Sequence, residues 1–221
     1  MQAFDCFTSI IAPGLILFKG FLSSDEQIKM ASWAMTQEAG WYNDQGVLNC
    51  GPTRGRIYQA WKDFSNGELV EQTCKNAVER ARLIDGTMPT HDLTHLLLLR
   101  YLPSGGQDHD AMIWHRDDDE NDGDNDHPVV SLSIGCTCIF GYKLAGEKEK
   151  SVHLESGDIL LFGGPQRLVL HCVHTVLSNT APKAVESVIG NARINFTFRD
   201  APSVKGKEAS YETKVLLERK N

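Results

Sequence analysis

What the chain lacks narrows it before any motif is weighed. No apolar run approaches the roughly 20 residues that a bilayer-spanning helix needs, and 41% hydrophobic with 23% charged residues is an ordinary soluble make-up. Membrane insertion is therefore not expected. The opening residues MQAFDCFTSIIAPG carry an early acid, no basic stretch and no small-residue cleavage site. Neither a secretory signal nor a transit peptide is expected, which makes cytoplasm or nucleus the expected location. The six cysteines, at 6, 50, 74, 136, 138 and 172, form no CxxC pair. A zinc finger and a disulfide framework are thereby disfavoured, and reduced thiols are expected. Basic residues are in deficit, 22 against 29 acids for a net charge of −7, which argues against a surface that binds phosphate backbones throughout. The local basic stretches TRGRIYQAWK (Arg54, Arg56, Lys62), KLAGEKEK (Lys143, Lys148, Lys150) and the tail from Lys205 read first as solvated faces. A length of 221 residues suffices for one domain with its own core, not comfortably for two. A single globular unit, monomeric, is the expectation.

What is present begins with helices and ends with strands. LSSDEQIKMASWAM opens with serine, carries acids in its first turn and spaces Ile28, Ala31 and Met35 helically, which predicts an N-capped amphipathic helix. A second helix is predicted over NGELVEQTCKNAVERARLID. Beyond it, THLLLLRYL, PVVSLSIGCTCIFGY, SVHLES, DILLFGG, RLVLHCVHTVL and ARINFTFRD are short runs, often alternating, broken by Gly, Pro, Asp and Lys. The fold class that follows is α+β, mainly β, with two packed antiparallel sheets in the jelly-roll manner and the helices packed on them.

The stretch IWHRDDDENDGDNDHPVVSLS holds seven acids. A calcium loop fails on spacing: with Gly123 as the sixth position, the third is Glu120 and the twelfth is Val129 in place of a bidentate glutamate. A solvated loop accounts for Asp122, Asp124 and Asp126. The front of the stretch needs another explanation. His115 and Asp117 lie two apart at the end of a predicted strand, so both point to one face. A histidine from another strand would complete a two-histidine, one-carboxylate facial set, which holds Fe(II) with coordination positions left open. His171 is the candidate, its odd-spaced neighbour His174 facing the other way; a hydrogen-bonded or surface histidine is the plain alternative.

The last strand inverts surface logic. Arg193, Asn195, Thr197 and Arg199 recur every two residues, against Ile194, Phe196 and Phe198 on the reverse. That pattern fits either a salt-bridged exterior or a polar cavity that holds an anion. The two arginine Cα atoms stand roughly 20 Å apart at about 3.3 Å per residue, too far to grip one carboxylate together; in the cavity reading the guanidinium groups would bracket a small dianion and the metal ligands from two ends.

WHRDDDE, HPVVSLSIG, LESGDILLFGGPQRLVLH and RINFTFR, in this order, resemble the AlkB family of Fe(II)- and 2-oxoglutarate-dependent dioxygenases, most specifically in the R-x-N-x-T-x-R string. The resemblance implies a double-stranded β-helix core over 96–200, an N-terminal helical and strand extension with substrate-recognition loops over 1–95, and a tail over 201–221. It implies that His115, Asp117 and His171 ligate iron, and that Arg193, Asn195 and Tyr101 contact 2-oxoglutarate. Arg199 would lie at the metal end and orient Asp117. Leu99 departs from the family's usual Asn two residues before the tyrosine. Asp119 matches the second acid of the H-x-D-x-D-E string and would accept from the exocyclic amine of an N-methylated base. Tyr58 or Trp61 would stack on such a base, each also readable as a packing residue, and Arg167 matches a further arginine near the site. The implied activity, with O2 as co-reactant, demethylates N-alkylated bases in nucleic acid and releases formaldehyde, succinate and CO2. The alternatives are a dioxygenase of protein or lipid substrates, a non-catalytic reader of methylated nucleic acid, and a structural jelly roll.

Overall fold

The computed structural model describes residues 7–37, 54–103, 112–118 and 127–200. Among the described residues eleven strands form two sheets, and three α-helices cover the larger of them. The strands are β1 (Phe7–Ala12), β2 (Leu15–Lys19), β3 (Arg54–Ala60), β4 (His95–Tyr101), β5 (Met112–His115), β6 (Val129–Gly135), β7 (Cys138–Lys143), β8 (Lys150–Leu154), β9 (Ile159–Phe162), β10 (Leu170–Val176) and β11 (Arg193–Arg199). The major sheet runs β1-β2-β9-β6-β11-β4-β3 and the minor sheet β5-β10-β7-β8, and every neighbouring pair is antiparallel. Residues before 95 supply strands at both ends of the major sheet, so the N-terminal part is built into the same layers as the later strands. No described helix is long and apolar enough to cross a membrane.

Helix α1 (Ser24–Met35) starts as its sequence demands. The Ser23 hydroxyl accepts from the Glu26 amide, and the Glu26 carboxylate accepts from the Ser23 amide at 2.9 Å, a reciprocal cap that satisfies orphan donors of the first turn. Its buried face is Gln27, Met30, Ala31 and Ala34, with Ile28 and Met35 only partly buried at its margin. The expected apolar stripe is thus rotated, because Gln27 finds partners inside: its amide nitrogen donates to the Leu22 carbonyl and its oxygen accepts from the Ser156 hydroxyl. Helix α2 (Glu68–Ile84) covers the expected segment. A third helix, α3 (Lys183–Ile189), lies between Pro182 and Gly190 and was not expected. At seven residues it is too short for a periodic signal.

The alternation read in β11 is realised across the sheet. Ile194, Phe196 and Phe198 join Val130, Leu132 and Ile134 of β6 and Leu96 and Leu98 of β4 in a core shared with the helices. The opposite faces turn toward the minor sheet, where Leu15, Leu17, Phe162 and Tyr101 meet Phe140, Tyr142, Val173 and Val176. The apolar run PVVSLSIGCTCIFGY divides into two strands of different sheets at Gly135, whose φ is +97° and whose missing Cβ would sit 2.3 Å from the Ala192 carbonyl oxygen. A side chain there has neither the backbone conformation nor the room. KLAGEKEK is a solvated face as read, with Lys150 ion-paired to Glu147 and Lys143 near Glu149 at 3.8 Å. The tail from Lys205 lies outside the described residues, as do Cys6 and Cys50; Cys74, Cys136, Cys138 and Cys172 are buried and unpaired by disulfides.

One partly buried histidine is expected to make the fold pH-sensitive. His91, beside the Cys74 sulfur at 3.8 Å, has its pKa pushed down by burial to about 4. The unfolded chain, titrating near 6.5, then binds the extra proton first, so His91 contributes stability above about pH 6.5 that is lost progressively as pH falls toward 4. The expected loss is about 1.4 kcal/mol per pH unit across that window. Urea unfolding of wild type and His91→Asn between pH 7 and pH 4 checks it: the difference between the two should shrink with acidity, and parallel curves would show that folding leaves the His91 pKa unshifted.

Candidate metal centre

The centre is assembled where the short strand β5 meets β10. His115 and His171 are Cα partners in that pairing, and their ring centroids stand 4.3 Å apart. Asp117 follows β5 by two residues and is buried. One donor atom from each of His115, Asp117 and His171 falls within 4.8 Å of the others, and this is the one such His/Cys/Asp/Glu group among the described residues. The imidazoles are fixed in the same way. His115 Nδ1 bonds to the Ile113 carbonyl at 2.8 Å, and His171 Nδ1 to the Val169 carbonyl at 2.9 Å. A carbonyl only accepts, so Nδ1 carries the proton in both rings and Nε2 keeps its lone pair for a metal.

Electrostatics hold the carboxylate ionised. Arg199 on β11 donates from Nη2 to Asp117 Oδ1 at 2.9 Å, both side chains less than a tenth exposed. Burial alone would raise the Asp117 pKa; Arg199 first, then His171, His115 and Arg167, outweigh it and hold the group below the usual carboxylate range. Burial lowers the pKa of His171, which keeps that ring neutral and able to ligate at neutral pH. Two imidazoles and one carboxylate on one face suit a divalent first-row cation such as Fe(II).

The face of β11 that carries Arg199 also carries Arg193, which is 1% exposed. Its Nη2 donates to the Ser133 hydroxyl at 3.0 Å, and its guanidinium carbon lies 5.3 Å from the Tyr101 ring centroid. Nε and Nη1 are buried without a hydrogen-bond partner among the described residues. A buried, always-charged group with unused donors is costly unless an anion meets it, which is what a carboxylate end of 2-oxoglutarate would do.

Several expected contacts are placed differently. Asn195 was expected to touch the cosubstrate, but both amide hydrogens are spent inside the protein, on the Ser131 hydroxyl at 2.8 Å and the Leu132 carbonyl at 3.0 Å, while Oδ1 accepts from Thr197. It braces β11 against β6 and has no amide donor left for a ligand. Trp61, expected as a possible stacking partner for a base, packs with Trp33 and Phe64 against the helix-side core. Arg167, expected near the substrate, is buried and donates to the Asp117 carbonyl at 2.6 Å. Tyr58 neighbours Ile57, which faces the helices, and so lies on the opposite, metal-side face, stacked on His95 at 5.7 Å. Asp119 lies outside the described residues. Leu99 pairs with Asn195 across β4 and β11 and packs on the inter-sheet core, so it supplies no hydrogen bond. Unanticipated were Ser131 and Ser133, whose period of two on β6 mirrors that of β11, and Phe140 and Phe162, whose rings flank His171 at 5.4 and 5.1 Å.

Removing the carboxylate should act twice. Asp117→Ala is expected to lower Mn(II) affinity at least about tenfold in calorimetric titration. It should also destabilise the metal-free protein by about 3 to 5 kcal/mol, because Arg199 is left buried without its counter-charge. Wild-type Mn(II) affinity in this variant would remove Asp117 from the ligand set.

Known proteins resemble this chain over most of its length. The family model of the 2OG-Fe(II) oxygenase superfamily matches residues 14–199. A DNA N(6)-methyladenine demethylase of Arabidopsis thaliana, ALKBH1C, is 27% identical over 86% of this chain and 49% of its own length, so the chain spans about half of that relative. The Escherichia coli α-ketoglutarate-dependent dioxygenase AlkB is 27% identical over 76% of each chain. The solved structure of OsALKBH1 superposes with a TM-score of 0.70 at 25% identity, covering 87% of this chain and 99% of that one. With its fold, its metal-ligand trio and its buried arginine in place, the chain belongs to the 2OG-Fe(II) oxygenase superfamily, in the AlkB family of dioxygenases.

Proposed function

We propose that this protein demethylates N-alkylated bases in DNA or RNA, with Fe(II) held by His115, Asp117 and His171 and 2-oxoglutarate as cosubstrate. The observation that carries the reading is the convergence of the three donor side chains next to a strand whose buried Arg193 has two unused guanidinium nitrogens. The AlkB relatives named as demethylases of DNA and, in Schizosaccharomyces pombe, of tRNA support the choice of nucleic acid. Bound there with 2-oxoglutarate and O2, iron supplies the oxidising power that hydroxylates an N-methyl carbon, and the hydroxymethyl amine falls apart to formaldehyde and the unmodified base, leaving succinate and CO2.

The chain's own residues do the rest. Carbonyl bonds at Nδ1 aim both imidazole lone pairs at one point. Arg199 holds the Asp117 carboxylate ionised and oriented. Arg193, braced by Ser133 and backed by the Tyr101 ring, offers a planar fork to the carboxylate farther from the metal. Phe140 and Phe162 wall His171 with apolar rings and keep water from that side. Asp119 would read the amine of a methylated adenine or cytosine, and Tyr58 would lie on the same side as the metal.

Formaldehyde release from a panel of N-methylated DNA and RNA oligomers and of N-methylated peptides, with iron and 2-oxoglutarate supplied, is the direct test. Turnover confined to oligomers is expected; turnover confined to peptides would redirect the assignment to a protein substrate, and none anywhere with metal bound would favour a reader. Arg193→Met should raise the KM for 2-oxoglutarate by roughly 10- to 100-fold, the size of a lost charge-assisted bond, while Mn(II) affinity measured without cosubstrate stays within a few-fold of wild type.

A further inference from the structure

One of the two ligand-bearing strands is held by little sheet among the described residues. β5 has four residues, forms one end of the minor sheet and meets only β10 within it; its register with β10 slips between His171 and Val173. Asp117 lies beyond the end of β5, where no ladder bond holds it. Yet the donor atoms of a facial site must hold their positions to a fraction of an ångström.

Side chains supply the missing restraint, and they do so reciprocally. Arg116, one residue after His115, donates from Nε to the Leu168 carbonyl at 3.1 Å. Arg167, one residue before Leu168, donates from Nη1 to the carbonyl of Asp117, one residue after Arg116, at 2.6 Å. Each arginine therefore grips the carbonyl of the residue next to the other arginine. The two bonds tie the 116–117 segment to 167–168 just outside the β5–β10 pairing. Both segments lead directly into ligands: 116–117 contains Asp117 and follows His115, and 167–168 precedes Val169, whose carbonyl orients the His171 ring. Arg167 is 4% exposed, and its charge also helps hold Asp117 ionised. Arg199 fixes the Asp117 carboxylate from β11, so that residue is held at its side chain by one arginine and at its backbone by another.

We infer that Arg116 and Arg167 form a reciprocal clasp whose task is to set the spacing of the three metal ligands, Arg167 being a positioning residue rather than a contact to the base. This rests on the metal-site reading but not on the identity of the substrate. The clasp acts on metal retention before any cosubstrate binds, so its test needs no turnover.

Mn(II) affinity, followed by titration calorimetry and by the Mn(II) electron paramagnetic resonance signal, is measured for wild type, R116M, R167M, R167K and the R116M/R167M pair. R167M should weaken Mn(II) roughly 10- to 100-fold and broaden the signal. R167K, which keeps one charged donor, should recover part of the loss. R116M, at an exposed position, should weaken binding only several-fold and keep the fold. The double variant should lose less than the product of the single losses, because each bond is of little use without the other. If R167M lowers the unfolding midpoint of the metal-free protein but leaves Mn(II) affinity and signal as in wild type, the role is structural and the inference fails. It fails equally if the two single losses multiply. Should R167M not fold, R167K and R116M carry the decision, and unchanged Mn(II) affinity in both overturns the clasp. Loss of Mn(II) binding in Asp117→Ala with none in the clasp variants separates failure of this inference from failure of the metal site itself.

Discussion

Burying charge between two sheets is the constraint around which this molecule is arranged. Asp117, Arg199, Arg167 and Arg193 are each less than a tenth exposed, where an isolated ion would be prohibitively unfavourable. The ion pair of Arg199 with Asp117, at 2.9 Å, makes the arrangement tolerable at the metal end. It has to cross between structural units, because Arg199 ends a strand of the major sheet and Asp117 follows an edge strand of the minor one. The relative placement of the two sheets is therefore tied to one carboxylate. That carboxylate also belongs to the trio that could hold a metal, which links the closure of the β sandwich to the readiness of the site.

The strand period delivers these charges. β11 and β6 lie side by side, and in both every second residue is polar: Arg193, Asn195, Thr197 and Arg199 on one, Ser131 and Ser133 on the other. In register, Asn195 faces Ser133 and Thr197 faces Ser131, and the hydrogen bonds of Asn195 and Arg193 close onto those serine hydroxyls. The alternate residues are all apolar and meet the helices. A slip of one residue would exchange the two sets and put arginines among the helices, so the register that makes the core also makes the site.

Legibility in the sequence followed the same physics. Strand β11 could be read completely, because strict alternation over seven residues admits one interpretation of which side chains share a face. The ligand trio was legible in part: the H-x-D spacing put two donors on one side, but the pairing that brings His171 opposite His115 is a long-range contact that no local pattern contains. Strands β1, β2 and β3 escaped because FTSIIA, APGLILFKGF and TRGRIYQAWK lack a clear period of two. In β2, four successive residues are buried on both faces. Asn195 and Arg167 show the limit of carrying roles over from a pattern. Whether a buried amide or guanidinium reaches a ligand or a neighbouring backbone depends on partners such as Ser131, Leu132 and the Asp117 carbonyl, which sit 50 to 64 residues away in the chain.

Arg193 is the point at which stability and function oppose each other. Its charge is fully buried, no carboxylate neutralises it among the described residues, and two of its nitrogens lack partners. Such a group subtracts from the stability of the fold. The compensation lies on the reverse face of the same strand, where Ile194, Phe196 and Phe198 are completely buried and Phe196 stacks on Trp33 of α1 at 6.1 Å. Full burial of three such side chains contributes on the order of 1.5 to 3 kcal/mol each, enough to hold the strand in place while its other face keeps unsatisfied donors in readiness. The helical layer thus has a functional part although it touches no ligand: it supplies the stability that lets β11 present a preorganised cation. An anion that satisfies Arg193 returns that energy as binding affinity.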